Sequence, residues 1–360
     1  LGALLLEGLC LPLPPLNRPG APGNAVVFAG DWRKGHTRHQ HLRGFCGNAS
    51  VPQWDELRRR YGVQFAMGNA AYGRAILACL PGTARRYEAQ YPDLIERGLE
   101  VREVRLHPRE WSNFGYHLFL GCADQVKGRT QAQVFLSNVI AQLGPDAHID
   151  RVEQELDRAR LGGASRPVLK GAFSLIRSLT SEQERAADLV AEPGVPVFCY
   201  LESEALGAEQ VLSVQLAMMT ALSRPLPGDP YLLYVLEEVA KQGVSPELMA
   251  AFSEMVREVR HNRRSLYFGA HLPTDLPPDV VTMATGILQF GGTGPQALRR
   301  LQELSGLLPG LSLREVQELR PGMAWGGFQR ATSSAFVRRP QLLHFRPSCI
   351  DAGGETLTRG

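Results

Sequence analysis

The sequence contains little lysine and no long apolar run. Its 360 residues include lysine only at Lys34, Lys127, Lys170 and Lys241, so arginine supplies nearly all of the positive charge. The formal net charge of +3 is close to neutral and does not by itself indicate a nucleic-acid partner. No stretch of about 18 uncharged apolar residues occurs, which argues against a membrane-spanning helix.

Paired cysteines and a phosphate-binding loop are also missing. The six cysteines are scattered without a C-x-x-C pair, which is typical of reduced core residues rather than of a disulfide framework. The sequence has no G-x-x-x-x-G-K-[ST] motif, whose backbone amides cradle phosphates. Gly291, Gly292 and Gly294 are followed by Pro295 rather than by lysine, and this cluster predicts a turn.

Short apolar runs alternate with helix-length segments. The runs cover residues 25–30, 196–201, 231–236, 265–270 and 286–290. Continuous apolar strands separated by helices predict an α/β fold with a mostly parallel sheet covered on both faces. Two later runs, 323–329 and 341–346, predict a C-terminal β-hairpin.

Residues 45–190 have a different, mostly helical pattern. Helices are predicted over 54–61, 73–80, 91–97, 132–143, 150–160 and 168–179, and one strand over 101–106. We interpret 1–44 as the first part of the α/β core, 45–190 as a largely α-helical insertion, 191–347 as the remainder of the core, and 348–360 as a disordered tail. A capping box of Ser181 with Glu184 predicts the start of one further helix. Two later helices are predicted, one over 207–223 and one that begins after Ser245.

An acidic pair, Glu237 and Glu238, follows the apolar run 231–236. A parallel strand that ends in carboxylates presents them at the sheet edge where ligands of open α/β folds bind. In nucleoside triphosphatases, one such carboxylate helps to hold Mg²⁺ and the next polarises the attacking water. The alternative is two solvated glutamates that begin a helix, where negative charge suits the helix dipole.

Polar residues around the next strand extend this pattern. The run 265–270 ends at His271, which is well placed to sense a γ-phosphate if the two strands are neighbours. Four arginines lie just before this strand: Arg257, Arg260, Arg263 and Arg264. They either complement a helix C-terminus or include one that reaches a nucleotide held by a neighbouring subunit and stabilises transferred charge.

In the order and spacing of these features over residues 26–347, the chain resembles the HerA/FtsK-type RecA-like hexameric ATPases. That superfamily includes the coupling ATPases of conjugation and type IV secretion. The resemblance implies a RecA-like fold, ATP and Mg²⁺ as cofactors, a homo-hexameric ring and DNA as a partner. It also implies a cytoplasmic location, at the inner-membrane face in the secretion case, with a nuclease or a secretion channel as the further partner.

The resemblance also implies roles for individual residues. Asp31 and Lys34 correspond to the acidic residue and the lysine that follow a core strand near the nucleotide. Glu237 would hold Mg²⁺ through water and Glu238 would activate the attacking water. His271 stands where the family usually has glutamine, so its hydrogen bonding would depend on pH. Arg260 would act across a subunit interface.

The missing phosphate loop is the main departure from the family. The resemblance places that loop immediately before residue 1, so we expect these 360 residues to be a fragment that is inactive by itself. Three functions remain open: a DNA translocase or helicase of HerA/FtsK type, a coupling ATPase of conjugation or type IV secretion, and a non-catalytic DNA-binding or assembly module.

Overall fold

Two sheets organise the part of the chain that the computed structural model describes. The described residues are 24–28, 74–111, 129–161, 165–192, 194–201, 208–223, 232–237, 253–257, 259, 264–270, 272–320, 322–329 and 339–345. The first sheet has six strands and the second has three.

The larger sheet is entirely parallel, with the strand order β3-β2-β4-β1-β5-β6. Its strands are β1 (Asn24–Phe28), β2 (Ala75–Cys79), β3 (Leu99–Glu103), β4 (Val197–Tyr200), β5 (Leu232–Glu237) and β6 (Arg264–Gly269). Interior strands of such a sheet are apolar along their whole length because both faces are covered. Leu77, Phe198 and Tyr234 are each at most 1% exposed. The predicted α/β class and parallel sheet are therefore confirmed.

The described α-helices pack against the two sheets. They are α1 (Ala84–Gln90), α2 (Pro92–Ile95), α3 (Arg129–Leu143), α4 (Ile149–Arg158), α5 (Ser165–Ser178), α6 (Ala208–Ser223), α7 (Pro278–Thr282), α8 (Pro295–Ser305) and α9 (Leu313–Gln317). Leu136 of α3, Val152 of α4 and Phe173 of α5 are buried in one hydrophobic cluster with sheet residues such as Ile76. The helices predicted over 132–143, 150–160, 168–179 and 207–223 are confirmed.

The smaller sheet is antiparallel and lies at the C-terminal end of the described chain. It consists of β7 (Gly286–Gln289), β8 (Met323–Phe328) and β9 (Gln341–His344), with β8 in the middle. A separate core that includes Leu298, Leu308 and Val316 packs beneath it. The predicted C-terminal strand pair is confirmed as β8 and β9.

The run 286–290 was expected to belong to the parallel sheet, and this prediction is wrong. It forms β7, which pairs antiparallel with β8. A four-residue apolar strand has the same local pattern in either sheet. Its partner, β8, lies more than thirty residues further along the chain, so the local sequence does not specify the pairing.

The helix predicted over 73–80 is also wrong, because residues 75–79 form β2. All five residues of β2 are buried, and the strand pairs with both β3 and β4. A short apolar run that is buried on every side has no periodicity to separate strand from helix. The strand predicted over 101–106 is confirmed as β3, two residues earlier. Two strands of the larger sheet therefore fall inside the predicted insertion, whose boundaries stay a prediction.

The capping box predicted for Ser181 and Glu184 does not form. The short 3₁₀ turn that follows begins at Ala186, and its box joins Arg185 to Asp188, with the Arg185 backbone N–H donating to Asp188 Oδ2 at 2.9 Å. The Ser181 hydroxyl instead accepts from the Gln183 backbone N–H.

Candidate functional site

The carboxyl ends of β1, β5 and β6 meet at one edge of the larger sheet. In the ladder, Leu236 of β5 lies opposite Phe28 of β1 on one side and Phe268 of β6 on the other. Glu237, the next residue, lies opposite Gly269. The prediction that the acidic strand is interior and adjacent to the strand leading to His271 is therefore confirmed for the strands.

The chain path marks the boundary between β1 and β5 as a topological switch point. Among the described strands, β2 follows β1 along the chain and lies on one side of it, whereas β6 follows β5 and lies on the other side. In open α/β sheets, ligands bind outside the carboxyl ends of strands at such a point. Glu237 ends β5 at this boundary, so the sheet offers its acidic strand end where a ligand crevice is expected.

Most of the predicted site residues lie outside the described residues. These are Asp31, Lys34, Glu238, Arg260 and His271. Glu237 is described as the last residue of β5. In the sequence, Asp31 follows the end of β1 by three residues and His271 follows the end of β6 by two. Their roles stay predictions.

The opposite, amino end of β5 and β6 is fixed by buried polar contacts with α6. Arg264, 5% exposed, donates from Nε to the Leu222 carbonyl oxygen at 3.2 Å. The Tyr234 hydroxyl donates to the Met219 carbonyl oxygen at 3.4 Å, and burial raises the pKa of Tyr234. The Ser223 hydroxyl donates to the same oxygen at 2.6 Å. These contacts fix the register in which Glu237 meets the edge.

Two arginines of the predicted cluster have structural partners. One interpretation was that the arginines complement the C-terminus of the helix just before the strand. Arg264 does contact the C-terminal turn of a helix, but that helix is α6. Arg257 pairs with Asp279 of α7 at 3.0 Å in an exposed ion pair. Neither observation bears on Arg260. The buried role of Arg264 was missed because its partner lies 42 residues away in the sequence.

The carboxylate that ends β3 has a different environment from a metal ligand. Glu103 accepts a hydrogen bond from Arg105 at 2.9 Å and one from the Gly82 backbone N–H at 2.6 Å. The Arg105 hydrogen bond is the main cause that lowers the pKa of Glu103. Both carboxylate oxygens are thus engaged within the protein, and Glu103 closes the loop between β2 and α1.

Burial disfavours ionisation of the two thiols near this edge. Burial raises the pKa of Cys79, the last residue of β2, to about 11, and it also raises the pKa of Cys199 in β4. A thiol must ionise to attack or to bind a metal. Within the described residues no group of three or more His, Cys, Asp or Glu side chains could hold a metal ion.

A cleft of about 340 Å³, which the sequence did not reveal, opens at the amino ends of β2 and β3. Ion pairs line it: Arg102 binds Glu100 with Nε and Nη2 and donates from Nη1 to the Asp188 carbonyl oxygen at 3.0 Å. Arg74 pairs with Glu192. Because these charges are mutually satisfied and lie at the end of the sheet opposite Glu237, the cleft is separate from the candidate site.

The described residues form an α/β protein with a six-stranded parallel sheet, in which the interior strand β5 ends at Glu237. No protein-family model and no curated protein matches the sequence. Among the described residues, no helix is long and apolar enough to cross a membrane.

Similar folds occur among solved structures. VirB4 of Thermoanaerobacter pseudethanolicus is 12% identical over 92% of this chain and 91% of its own, with a TM-score of 0.44. The bacterial conjugative coupling protein TrwBdeltaN70, in a trigonal form with sulphate, is 13% identical over 84% and 96%, with a TM-score of 0.41. The plasmid coupling protein TrwB in complex with ADP and Mg²⁺ is 13% identical over the same shares, with a TM-score of 0.40. Likenesses of this size do not define a function for the chain.

Proposed function

We propose that the chain contributes the acidic strand and the neighbouring sensor strand to a RecA-like motor ATPase that moves DNA or protein. The observation that carries the proposal is the register of β5: Glu237 ends an interior parallel strand, opposite Gly269 and beside the end of β1. Strand ends at a topological switch point form the ligand crevice of open α/β sheets.

The residues near this edge suit a nucleotide with Mg²⁺. Carboxylate oxygens are the donors that Mg²⁺ prefers, usually with several waters retained. Bound Mg²⁺ would neutralise charge that develops on the phosphates. Glu237 would orient the metal's water, Glu238 would accept a proton from the attacking water, and His271 would donate a hydrogen bond to the γ-phosphate. Arg260 would reach a nucleotide on a neighbouring subunit, and Asp31 with Lys34 would flank it.

Two finer forms of this function differ in what is moved and where. One is a coupling ATPase of conjugation or type IV secretion, working as a ring at the inner-membrane face. The other is a HerA/FtsK-type DNA translocase in the cytoplasm, with a nuclease as partner. Transmembrane helices encoded upstream in the gene would favour the coupling ATPase, and a small β-barrel domain there would favour the translocase.

The test is nucleotide hydrolysis by the protein translated from the complete gene, because these 360 residues contain no phosphate loop. We expect Mg²⁺-dependent hydrolysis of ATP that DNA stimulates. Glu238→Gln should lower kcat by about 10²-fold or more, since removing a residue that acts on the transferred proton costs on this order.

The matched control is Glu318→Gln, a described glutamate paired with Arg314 on the surface of the C-terminal region. It should leave hydrolysis unchanged. Full-rate turnover by Glu238→Gln would remove the role assigned to Glu238. Absence of hydrolysis in the unaltered complete protein would leave the non-catalytic DNA-binding or assembly module as the function.

A further inference from the structure

The two faces of the smaller sheet differ in how they are covered. Residues directly opposite each other across a ladder share a face, so Gln289, Trp325 and Leu342 lie on one side. There Trp325 packs against the core beneath the sheet, and its Nε1 donates to the Glu315 carbonyl oxygen at 3.2 Å. This is called the covered face; its cover ends at the edge strand β9, where Leu342 is 41% exposed.

The other side, called the open face, carries five large apolar residues that are not buried. They are Leu288, Phe290, Phe328, Leu343 and Phe345. Phe290 is 38% exposed. A sheet face of this composition is normally covered by another layer, so these side chains indicate a surface that binds something.

An aromatic pair lies at the end of the open face where β8 begins, one residue beyond β7 and one beyond β9. The Phe290 and Phe345 ring centroids are 5.8 Å apart, at an interplanar angle of 31°. Between their strands, β8 offers the small residues Ala324 and Gly326 on this side, followed by Phe328. A Cβ at Gly326 would come within 2.7 Å of Leu343 and of the Phe328 ring, so the large side chains lie directly over β8. The result is a nearly continuous apolar platform.

The sequence segment that forms β8 and β9 carries charge of one sign. From Arg320 to Arg346 the sequence has five arginines and neither aspartate nor glutamate. Of these, Arg320 precedes β8 and Arg339 precedes β9, and both are exposed. The strand pair that builds the platform is therefore bordered by fixed positive charge at both ends of β9.

From this geometry we infer that the open face of the smaller sheet binds single-stranded DNA, with bases stacked on Phe290 and Phe345 and phosphates paired with Arg320 and Arg339. Aromatic side chains with interleaved basic groups bind single strands without sequence preference. Duplex DNA hides its base faces, so it can use only the arginines. A 2′-hydroxyl placed against Leu288 or Leu343 would lose its water, so DNA is favoured over RNA.

Charge argues against a second copy of the chain as the occupant. Pairing two open faces would bring together the arginines of both copies, and like charges across an interface are unfavourable. The inference shares its DNA partner with the proposed function but does not depend on nucleotide chemistry, so either can fail alone.

The test is fluorescence anisotropy of a labelled oligodeoxythymidylate without nucleotide, using the whole protein. The oligonucleotide should exceed the ~4–16 nucleotides that such sites occupy. Phe290→Leu and Phe345→Leu keep apolar contact but remove the ring, and each should weaken binding about tenfold. The control is Leu342→Ala, which changes an exposed residue of β9 on the covered face and should leave affinity unchanged.

The arginines are tested by salt dependence. Arg320→Gln and Arg339→Gln should each lower the slope of log affinity against log salt by about 0.7, since each removes one phosphate contact on a single strand. Arg151→Gln, at an exposed arginine of α4, should not change the slope. Glu238→Gln should bind the oligonucleotide like the unaltered protein, which separates this surface from the hydrolytic site.

Several results would overturn the inference. The first is unchanged affinity in folded Phe290→Leu and Phe345→Leu variants, and the second is equal or tighter binding of duplex DNA or of RNA. The third is that these variants lose self-association or binding to anionic vesicles instead of DNA binding. If the leucine variants do not fold, photo-crosslinking of bromodeoxyuridine-containing DNA to the unaltered protein decides. Crosslinks must map to the peptides of Phe290 or Phe345, and crosslinks confined to other peptides would also overturn it.

Discussion

Arg264, the first residue of β6, donates from Nε to the carbonyl oxygen of Leu222 in the last turn of α6, 3.2 Å away. The guanidinium is buried, yet its charge faces the negative end of a 16-residue helix. The contact joins α6 to the edge strand of the parallel sheet, and thus supports the strand that leads to His271.

We predict that Arg264→Met destabilises the fold by about 2–3 kcal/mol, because the hydrogen bond from a buried charged donor is lost. The measurement is the free energy of unfolding in urea. Arg257→Met is the control: its ion pair with Asp279 is exposed, and such pairs contribute at most about 1 kcal/mol. Equal losses in the two variants would show that Arg264 does not stabilise α6 against β6.

Local pattern was sufficient for some features of this fold. An apolar run closed by Glu237 is a local signal, so the strand and its acidic end could be predicted, and the helices α3 to α6 followed from their length and periodicity. Features that depend on partners distant in the sequence could not be predicted from local pattern. The run 75–79 became a strand because β3 and β4 flank it, and β7 changed sheets because β8 pairs with it.

The candidate site likewise has features that the local sequence predicted and features that it did not. The order of strands brings the ends of β1, β5 and β6 together, and this order agrees with the expectation drawn from Glu237 and His271. The cleft beside Arg102 and the open face around Phe290 depend on which residues end up opposite one another. Such register is fixed by the completed ladder rather than by any one segment.

Gly327 of β8 is required for the smaller sheet to approach its core. A Cβ at this position would overlap the Leu307 backbone carbonyl, and backbone cannot move aside as a flexible side chain can. We predict that Gly327→Ala destabilises the protein by about 3 kcal/mol or separates the smaller sheet from its helices. Thermal unfolding followed by circular dichroism measures this.

The control for that substitution is Gly294→Ala. Gly294 has a φ of −77°, and no atom lies within 4 Å of the Cβ that alanine would add. The change introduces no clash, and because Gly294 is the N-cap of α8, where glycine is preferred to alanine, it should cost at most about 1 kcal/mol. A Gly327→Ala variant as stable as Gly294→Ala would contradict the close approach of β8 to Leu307.

The thiol of Cys79 makes stability depend on alkaline pH. Burial is the main cause that raises its pKa from 9.0 to about 11. In the unfolded chain the thiol ionises near pH 9, whereas in the folded chain it stays protonated. Its contribution to stability is therefore complete below pH 9 and is lost as the pH rises towards 11.

The measurement is the free energy of unfolding in urea between pH 8 and pH 11, for the unaltered protein and for Cys79→Ala. The variant should lose less stability over this window, whatever its absolute stability, because it has no thiol to ionise. Tyr234 also favours its neutral form on burial, so the difference between the two curves is the quantity to compare. Parallel curves would show that Cys79 does not titrate as its burial requires.

Gln215, in the middle of α6, is 3% exposed, and among the described residues its Nε2 has no hydrogen-bond partner. A buried donor without a partner costs about 1–3 kcal/mol. Gln215→Met keeps the length of the side chain and removes the amide, so we predict that it stabilises the fold by about 1 kcal/mol or more in urea unfolding.

The control is Gln302→Met. The Gln302 Nε2 donates to the Leu308 and Leu311 carbonyl oxygens at 3.0 and 2.8 Å, so loss of this amide should destabilise the fold by about 1–2 kcal/mol. If Gln215→Met is as destabilising as Gln302→Met, the Gln215 amide has a partner in the folded protein, and the unsatisfied donor does not exist.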